Sequence, residues 1–285
     1  MNKFGDRAKM IAAMCIYGSI GVFVRNIALS RAAISLFRGV CGGLFLLLFL
    51  RRSGRKFDFA ALRGKWLPLC ISGVVMGLNW VFLFVAYDYA GVANATLCYY
   101  TAPMIVLLAS PLVLHEKLTL RGILCIAAAL LGTAFVSQIR FTGSSFIGIL
   151  LALAAAVLYA TVVFINKKLA GLPAYERAAV QLFSSALPLI PYLLLTQTAA
   201  DFSTDARSLI LLLILGIVHT GLAYTLFFDA VAKLPTKAVA TYAYLDPLLA
   251  VVLSVLLLGE PFTLFTALGA LLILGAAWWS ERETE

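Results

Sequence analysis

Residues 96–119 read TLCYYTAPMIVLLASPLVLHEKLT, and residues 240–263 read ATYAYLDPLLAVVLSVLLLGEPFT. The two stretches lie 144 residues apart, and Tyr100, Pro103, Ser110, Glu116 and Thr119 of the first match Tyr244, Pro247, Ser254, Glu260 and Thr263 of the second without a gap. Outward at the same spacing, Gly77, Phe84 and Ala86 match Gly221, Phe228 and Ala230. The third to fifth apolar segments therefore recur as the eighth to tenth. A duplicated apolar unit is the pattern from which secondary transporters are built. Segments one and two match six and seven more loosely, Tyr17 with Tyr159 at an offset of 142 and Leu36-Phe37 with Leu182-Phe183 at 146.

Of the 285 residues 63% are apolar and 12% charged, too little polar surface to coat a soluble globule. The chain is expected to reside in a bilayer. Apolar windows mark ten spans at roughly 8–27, 31–50, 66–87, 92–114, 121–137, 145–166, 174–195, 208–228, 237–258 and 263–280. Each crosses ~30 Å of hydrocarbon at ~1.5 Å per residue, some only by tilting or in a thinner membrane. The spans are continuously apolar rather than alternating, which argues against a β-barrel, and the longest connection, residues 51–65, is too short and too basic to fold as a domain. The segment after Met10 lacks a clear small-x-small cleavage pattern and reads as a retained first helix. Cys15, Cys41, Cys70, Cys98 and Cys125 all fall in apolar spans, without a CxxC or a histidine at metal spacing, so neither disulfides, a metal nor a cofactor is expected.

The net charge of +9 would suggest nucleic acid in a soluble chain, but here it is distributed loop by loop. With the N-terminus inside, 17 of the 22 Lys and Arg lie in cytoplasmic segments and 4 (Arg25, Arg31, Arg140, Arg207) on the opposite face, with Arg38 inside a span. Both termini are thus expected in the cytoplasm. The basic 51–65 loop reads as a topology anchor near anionic lipid, not a nucleic-acid patch. Five spans per half is an odd number, so the second half enters the membrane upside down. The expected fold is an all-α polytopic membrane protein, ten transmembrane helices arranged as two inverted five-helix repeats, residues 1–140 and 141–285.

These residues resemble the EamA branch of the drug/metabolite transporter superfamily. The resemblance rests on a helix with a central proline that ends in Glu with a Thr following, found twice: Tyr99-Tyr100-Thr101-Ala102-Pro103 to Glu116-Lys117-Leu118-Thr119, and Tyr244-Leu245-Asp246-Pro247 to Glu260-Pro261-Phe262-Thr263. It covers essentially the whole chain. It implies a secondary transporter in the cytoplasmic membrane whose halves enclose a central cavity, with helices five and ten packed together at the back or at a dimer contact, hence a monomer or homodimer. It favours export, and it leaves the solute open among amino acids, amines, nucleobases and other small metabolites.

The two proline helices place the site independently. Pro103 and Pro247 supply no amide hydrogen, so they free the carbonyls of Tyr99 and Ala243, which need a partner that lipid does not provide. Prolines at matching depth in inverted halves point to a midplane site and a moving gate. Intramembrane charges cost about 2.5–3.5 kcal/mol even on lenient scales. Three titratable groups lie deep in spans: Asp246, about 13 Å in; His219, about 16 Å in; and Arg38, roughly 10 Å from the outer face. Asp246 is expected to work with Tyr242, its i−4 neighbour, in binding an ammonium or the coupled proton; pairing with Arg38 as a fixed strut is the plainer alternative. His219 is a candidate relay or a packing residue, and Arg38 a carboxylate ligand or an outward-snorkelling anchor. Asn79, Trp80, Tyr99, Tyr100, Tyr224, Tyr17 and Tyr159 are the candidate lining, suited as a set to a flat or cationic solute. Glu116 and Glu260 oppose the dipole at helix C-termini, so they are taken as structural brackets whose partners are amides of the next helix start, Leu118-Thr119 or Phe262-Thr263.

A membrane enzyme is disfavoured, since there are two histidines in all, no HExxH, no GxSxG and no pair of intramembrane carboxylates. A lipid-headgroup flippase would show much the same helices and is the alternative to a carrier for a small amine or amino acid, proton-linked or facilitative, working by alternating access.

Overall fold

A computed structural model of the chain describes residues 3–54, 56–113, 119–136, 144–169, 171–202, 204–234, 239 and 242–281. Among the described residues there is no strand. Three uninterrupted helices open the chain: α1 (Lys3–Arg25), α2 (Arg31–Arg52) and α3 (Trp66–Ala90). The α2 start is capped by the Ser30 hydroxyl, which accepts from the Ala33 amide at 3.2 Å. Gly91 closes α3 at φ 79°, a conformation that favours glycine, and turns the chain into α4 (Val92–Tyr99).

The first proline helix is broken as its sequence dictates. Tyr100 and Thr101 form a turn, and α5 (Ala102–Val113) restarts with Pro103 in its first turn, where a missing amide costs nothing. The Thr101 hydroxyl donates to the Cys98 carbonyl at 2.7 Å. Next come α6 (Leu120–Val136), α7 (Ser144–Lys168), α8 (Ala174–Ser185), α9 (Leu189–Thr196), a short 3₁₀ turn (Ala199–Phe202) and α10 (Ala206–Gly216). A π-helical segment, Ile217–Leu222, joins α10 to α11 (Ala223–Val231). The second proline helix breaks at Tyr244, with Pro247 in the first turn of α12 (Leu245–Leu258), and α13 (Leu264–Glu281) follows.

Among the described residues seven segments are long and apolar enough to cross a membrane: Gly5–Arg25, Arg31–Arg52, Trp66–Ala90, Val92–Val113, Ser145–Lys168, Ala174–Thr196 and Ala206–Val231. The remaining three expected spans appear as shorter apolar helices, Leu120–Val136, Leu245–Leu258 and Leu264–Trp279. Large apolar side chains cover the outside, with Leu195 86% and Leu112 83% exposed, which is unfavourable in water and natural against acyl chains.

Packing between the two halves of the chain comes in exchanged pairs. α1 lies on α12 and α11, and its counterpart α7 lies on α5 and α3; α2 lies on the π segment, and its counterpart α8 lies on α3. The pairs α6 with α13 and α2 with α8 map onto themselves. In the α6–α13 pair, Gly132 and Gly269 each lie against the other's carbonyl oxygen, which leaves no room for a side chain. Contacts at the helix ends set directions. Lys9 in α1 meets Asp229 at the end of α11 at 3.1 Å, with Tyr175 donating to the same carboxylate, whereas Arg25 and Arg31 meet Asp88 near the end of α3 at 3.0 and 2.5 Å. Gly148, in the first turns of α7, packs on Ala90 at that second end. So α7 starts where α1 finishes, and α11 finishes at the opposite end from α3.

Candidate functional site

Small residues bring the helices close enough to build the site. On α2, a side chain at Gly39 would strike Ser185 and Leu182 of α8, and one at Gly42 would strike Thr220 of the π segment. Gly73 and Gly77 of α3 receive Gln181, Ser184 and Ser185 of the same α8 in the same way. This close seating carries Arg38, only 4% exposed, into the bundle interior. Its Nε donates to Thr220 Oγ1 at 2.9 Å, and its guanidinium carbon sits 4.3 Å from the Trp80 ring centroid and 5.8 Å from that of Phe84. Aromatic faces and a hydroxyl thus hold the cation without neutralising it. Among the described residues the outer guanidinium nitrogens have no hydrogen-bond partner.

Asp246 comes from the other direction. It sits in the first turn of α12, where the break exposes a helix N-terminus that favours a carboxylate. Tyr100, in the opposite break, donates to its Oδ2 at 2.7 Å. The phenol on Asp246 is therefore that of Tyr100 and not of Tyr242, which packs with Met10 and Met14 on α1. Among the described residues neither Arg38 nor Asp246 has an ion-pair partner, so the fixed strut between them is not formed.

Two aromatic arms flank these charges. Tyr17 meets Tyr224 edge-on at 6.0 Å, and Tyr224 leans on Phe228 at 5.7 Å while its hydroxyl reaches the Met76 sulfur at 3.9 Å. Tyr99 meets Tyr100 at 6.2 Å and Tyr159 at 5.7 Å. The Tyr17 hydroxyl is buried without a hydrogen-bond partner, an unusual state for a phenol in a folded interior. Tyr159, by contrast, is 43% exposed.

Other expected site residues find different employment. Asn79 donates to the Ala155 carbonyl of α7 at 2.6 Å and is 1% exposed, so it ties α3 to α7 rather than lining a space. His219 sits in the π segment, 2.9 Å from the Ser19 hydroxyl and with its ring 4.4 Å from that of Phe23. Glu260 does bind amides of a helix start, but those of Val92 at 2.7 Å and Ala93 at 3.0 Å, at the head of α4 in the other half. Glu116 lies outside the described residues. An apolar slot of about 350 Å³ opens among Leu47, Phe57, Trp66, Val180 and Phe183, and none of its lining residues belongs to the charged cluster.

Reading from sequence missed Thr220, Ser19, Asp88 and the Lys9–Asp229–Tyr175 set. Thr220 directly follows His219 in a span, the one signal available for it.

The EamA-like transporter family matches this chain twice, over residues 8–138 and 146–281. The chain is 32% identical over 271 residues to "Uncharacterized transporter YxxF" of Bacillus subtilis (strain 168), an alignment covering 93% of this chain and 86% of that one. It is 28% identical over 219 residues to a "Probable amino-acid metabolite efflux pump" of Salmonella typhimurium (strain LT2), covering 70% of this chain and 71% of the relative. A crystal structure of a protein at 20% identity shares the fold with a TM-score of 0.69 over 97% of both chains.

Proposed function

The chain belongs to the EamA-like transporter family, and on that premise we propose that it is a secondary transporter exporting a small metabolite with an ammonium group, an amino acid above all, across the cytoplasmic membrane by alternating access. The observation that carries this reading is the pair Arg38 and Asp246: opposite charges in one interior cluster, neither ion-paired, each held by a hydroxyl from the other half. A zwitterion placed between them would give its carboxylate to the open guanidinium nitrogens and its ammonium to Asp246, with tyrosine faces around its remainder. The unpartnered Tyr17 hydroxyl supplies a further donor. The name of the Salmonella relative supports both the solute class and the outward direction.

In this reading all ten apolar helices cross, as inverted five-helix halves 1–140 and 141–285 with both termini in the cytoplasm. The exchanged packing pairs and the opposed directions of α1 and α7 support it. The helix breaks at Tyr100–Thr101 and Tyr244, beside Pro103 and Pro247, are the hinges. Asp246 is also the group that carries a coupled proton if one is used.

The test is solute counterflow in proteoliposomes across a set of amino acids, their decarboxylated amines and their deaminated acids. Asp246→Asn should lower transport of every ammonium-bearing solute by at least about thirtyfold, the scale for truncating one side of a buried charged contact. Unchanged uptake with unchanged pH dependence in Asp246→Asn would overturn the assignment.

A further inference from the structure

The apolar slot away from the charged cluster has its own chemistry. It has a volume of about 350 Å³ and is walled by Leu47 of α2, Phe57 and Phe59 of the following loop, Trp66 of α3, and Val180 and Phe183 of α8. Phe59 stacks on Trp66 at 6.3 Å and is 66% exposed, so the wall on the loop side is an aromatic flap rather than packed core. Such a hollow in a membrane protein is filled by what surrounds it.

Three basic residues adjoin the slot's lining along the chain. Arg51 follows Leu47 by one helical turn on the same face of α2, Lys65 directly precedes Trp66, and Arg177 precedes Val180 by one turn on α8. All three lie at the end marked by Lys9 and Asp229, because Phe49 of α2 packs on Tyr175 of α8 at 5.5 Å there and Tyr175 donates to Asp229. Among the described residues none of the three has an ion pair or a side-chain hydrogen bond. Three unpaired cations around one end of a greasy slot complement an amphiphile with a negative head.

We propose that this slot is a binding site for an anionic phospholipid, one acyl chain lying between α2, α3 and α8 and the phosphate held by Arg51, Lys65 and Arg177. It is a fixed lipid site beside the bundle and not the transport route, since no residue of the Arg38–Asp246 cluster lines it.

Native mass spectrometry of the full chain in detergent tests this, with phosphatidylglycerol and phosphatidylcholine of identical acyl chains as probes. Wild type should retain phosphatidylglycerol over phosphatidylcholine, and Arg177→Gln and Lys65→Gln should each weaken that retention about fivefold, the share of one basic residue near an anionic lipid. Cys70→Trp, which plugs the slot wall, should abolish it; if that variant does not fold, the two charge variants decide alone. Equal retention of both lipids by wild type, or unchanged phosphatidylglycerol retention in both charge variants, would overturn the site. So would displacement by equimolar inorganic phosphate, which would make the acyl slot irrelevant, or loss of a dimer peak rather than a lipid in Cys70→Trp, which would give the slot to a second copy. Solute counterflow through Asp246 is a separate readout, so this proposal and the transport reading fail independently.

Discussion

Replacing Glu260 tests how the two halves are joined. Its carboxylate accepts from the amides of Val92 at 2.7 Å and Ala93 at 3.0 Å, and these are two of the donors that any helix start leaves unsatisfied. Val92 and Ala93 are buried, so water does not replace the lost acceptor. A hydrogen bond to a charged group contributes about 1.5–3 kcal/mol, and a carboxylate at a helix N-terminus about 0.3–1 kcal/mol more. Counting incomplete additivity, Glu260→Ala should cost about 3 kcal/mol. At about 2–4 °C per kcal/mol for a chain of this size class, Tm falls by about 6–12 °C. Glu260→Gln keeps one acceptor oxygen and should lose about half as much. The neighbouring glycine supplies an internal control. A side chain at Gly91 would lie 2.9–3.0 Å from the Glu260 carboxylate atoms, and its φ of 79° penalises any L-residue besides. Gly91→Ala should therefore be costly in the wild type and less so when Glu260 is already Ala. Tryptophan-fluorescence melts of the four purified proteins, at one scan rate and in one detergent, give the cycle. A Tm for Glu260→Ala within about 2 °C of wild type, or an equal Gly91→Ala penalty in both backgrounds, would refute the latch.

Two more outcomes follow from the site and from the helix ends. Thr220→Val removes the acceptor of Arg38 Nε while keeping the shape, so KM for solutes with a carboxylate should rise about tenfold or more, with decarboxylated amines unaffected; an equal effect on both classes in counterflow assays would mean that Thr220 only packs. Asp88→Asn removes the shared partner of Arg25 and Arg31, and with the Asp88 carboxylate 34% exposed each pair is worth about 0–1 kcal/mol, so Tm should drop by a few degrees at low salt and the deficit should shrink in about 1 M NaCl. A deficit independent of salt would take the electrostatic origin away.

Hydropathy and proline spacing carry most of the architecture because they act locally: each span and each break is set by its own residues. What fails is any inference that runs along a helix the chain then interrupts. Tyr242 is i−4 to Asp246, but the chain has a turn at Tyr244 between them, and Tyr100 of the other half is the phenol that donates to the carboxylate. Asn79 and Trp80 are adjacent in sequence and therefore about 100° apart around α3. One points at α7 and the other at Arg38. Glu260 reads as a bracket from its position at a helix end, yet its partner lies 168 residues away and has no local signal. The π segment is equally silent, although it is what sets Thr220 against α2: the Thr220 hydroxyl donates to Leu215 five residues back, at 3.1 Å, and still accepts from Arg38.

The repeat and the site obey different rules, and the difference bears on mechanism. Proline and glutamate recur in the sequence and the helix pairings recur in the fold, whereas the charges do not: the position of Asp246 is held by Ala102 in the first copy, and Arg38 belongs to the first copy alone. Each half thus brings one charge, and each charge is steadied by a hydroxyl of the other half, Arg38 by Thr220 and Asp246 by Tyr100. The Glu260 latch crosses the same boundary. Any rocking of one half against the other must stretch these bonds, while a solute carrying both charges can hold Arg38 and Asp246 together in their place. On the transport reading proposed above, duplication would supply two scaffolds that move as units, and the break in symmetry would let one solute bind both.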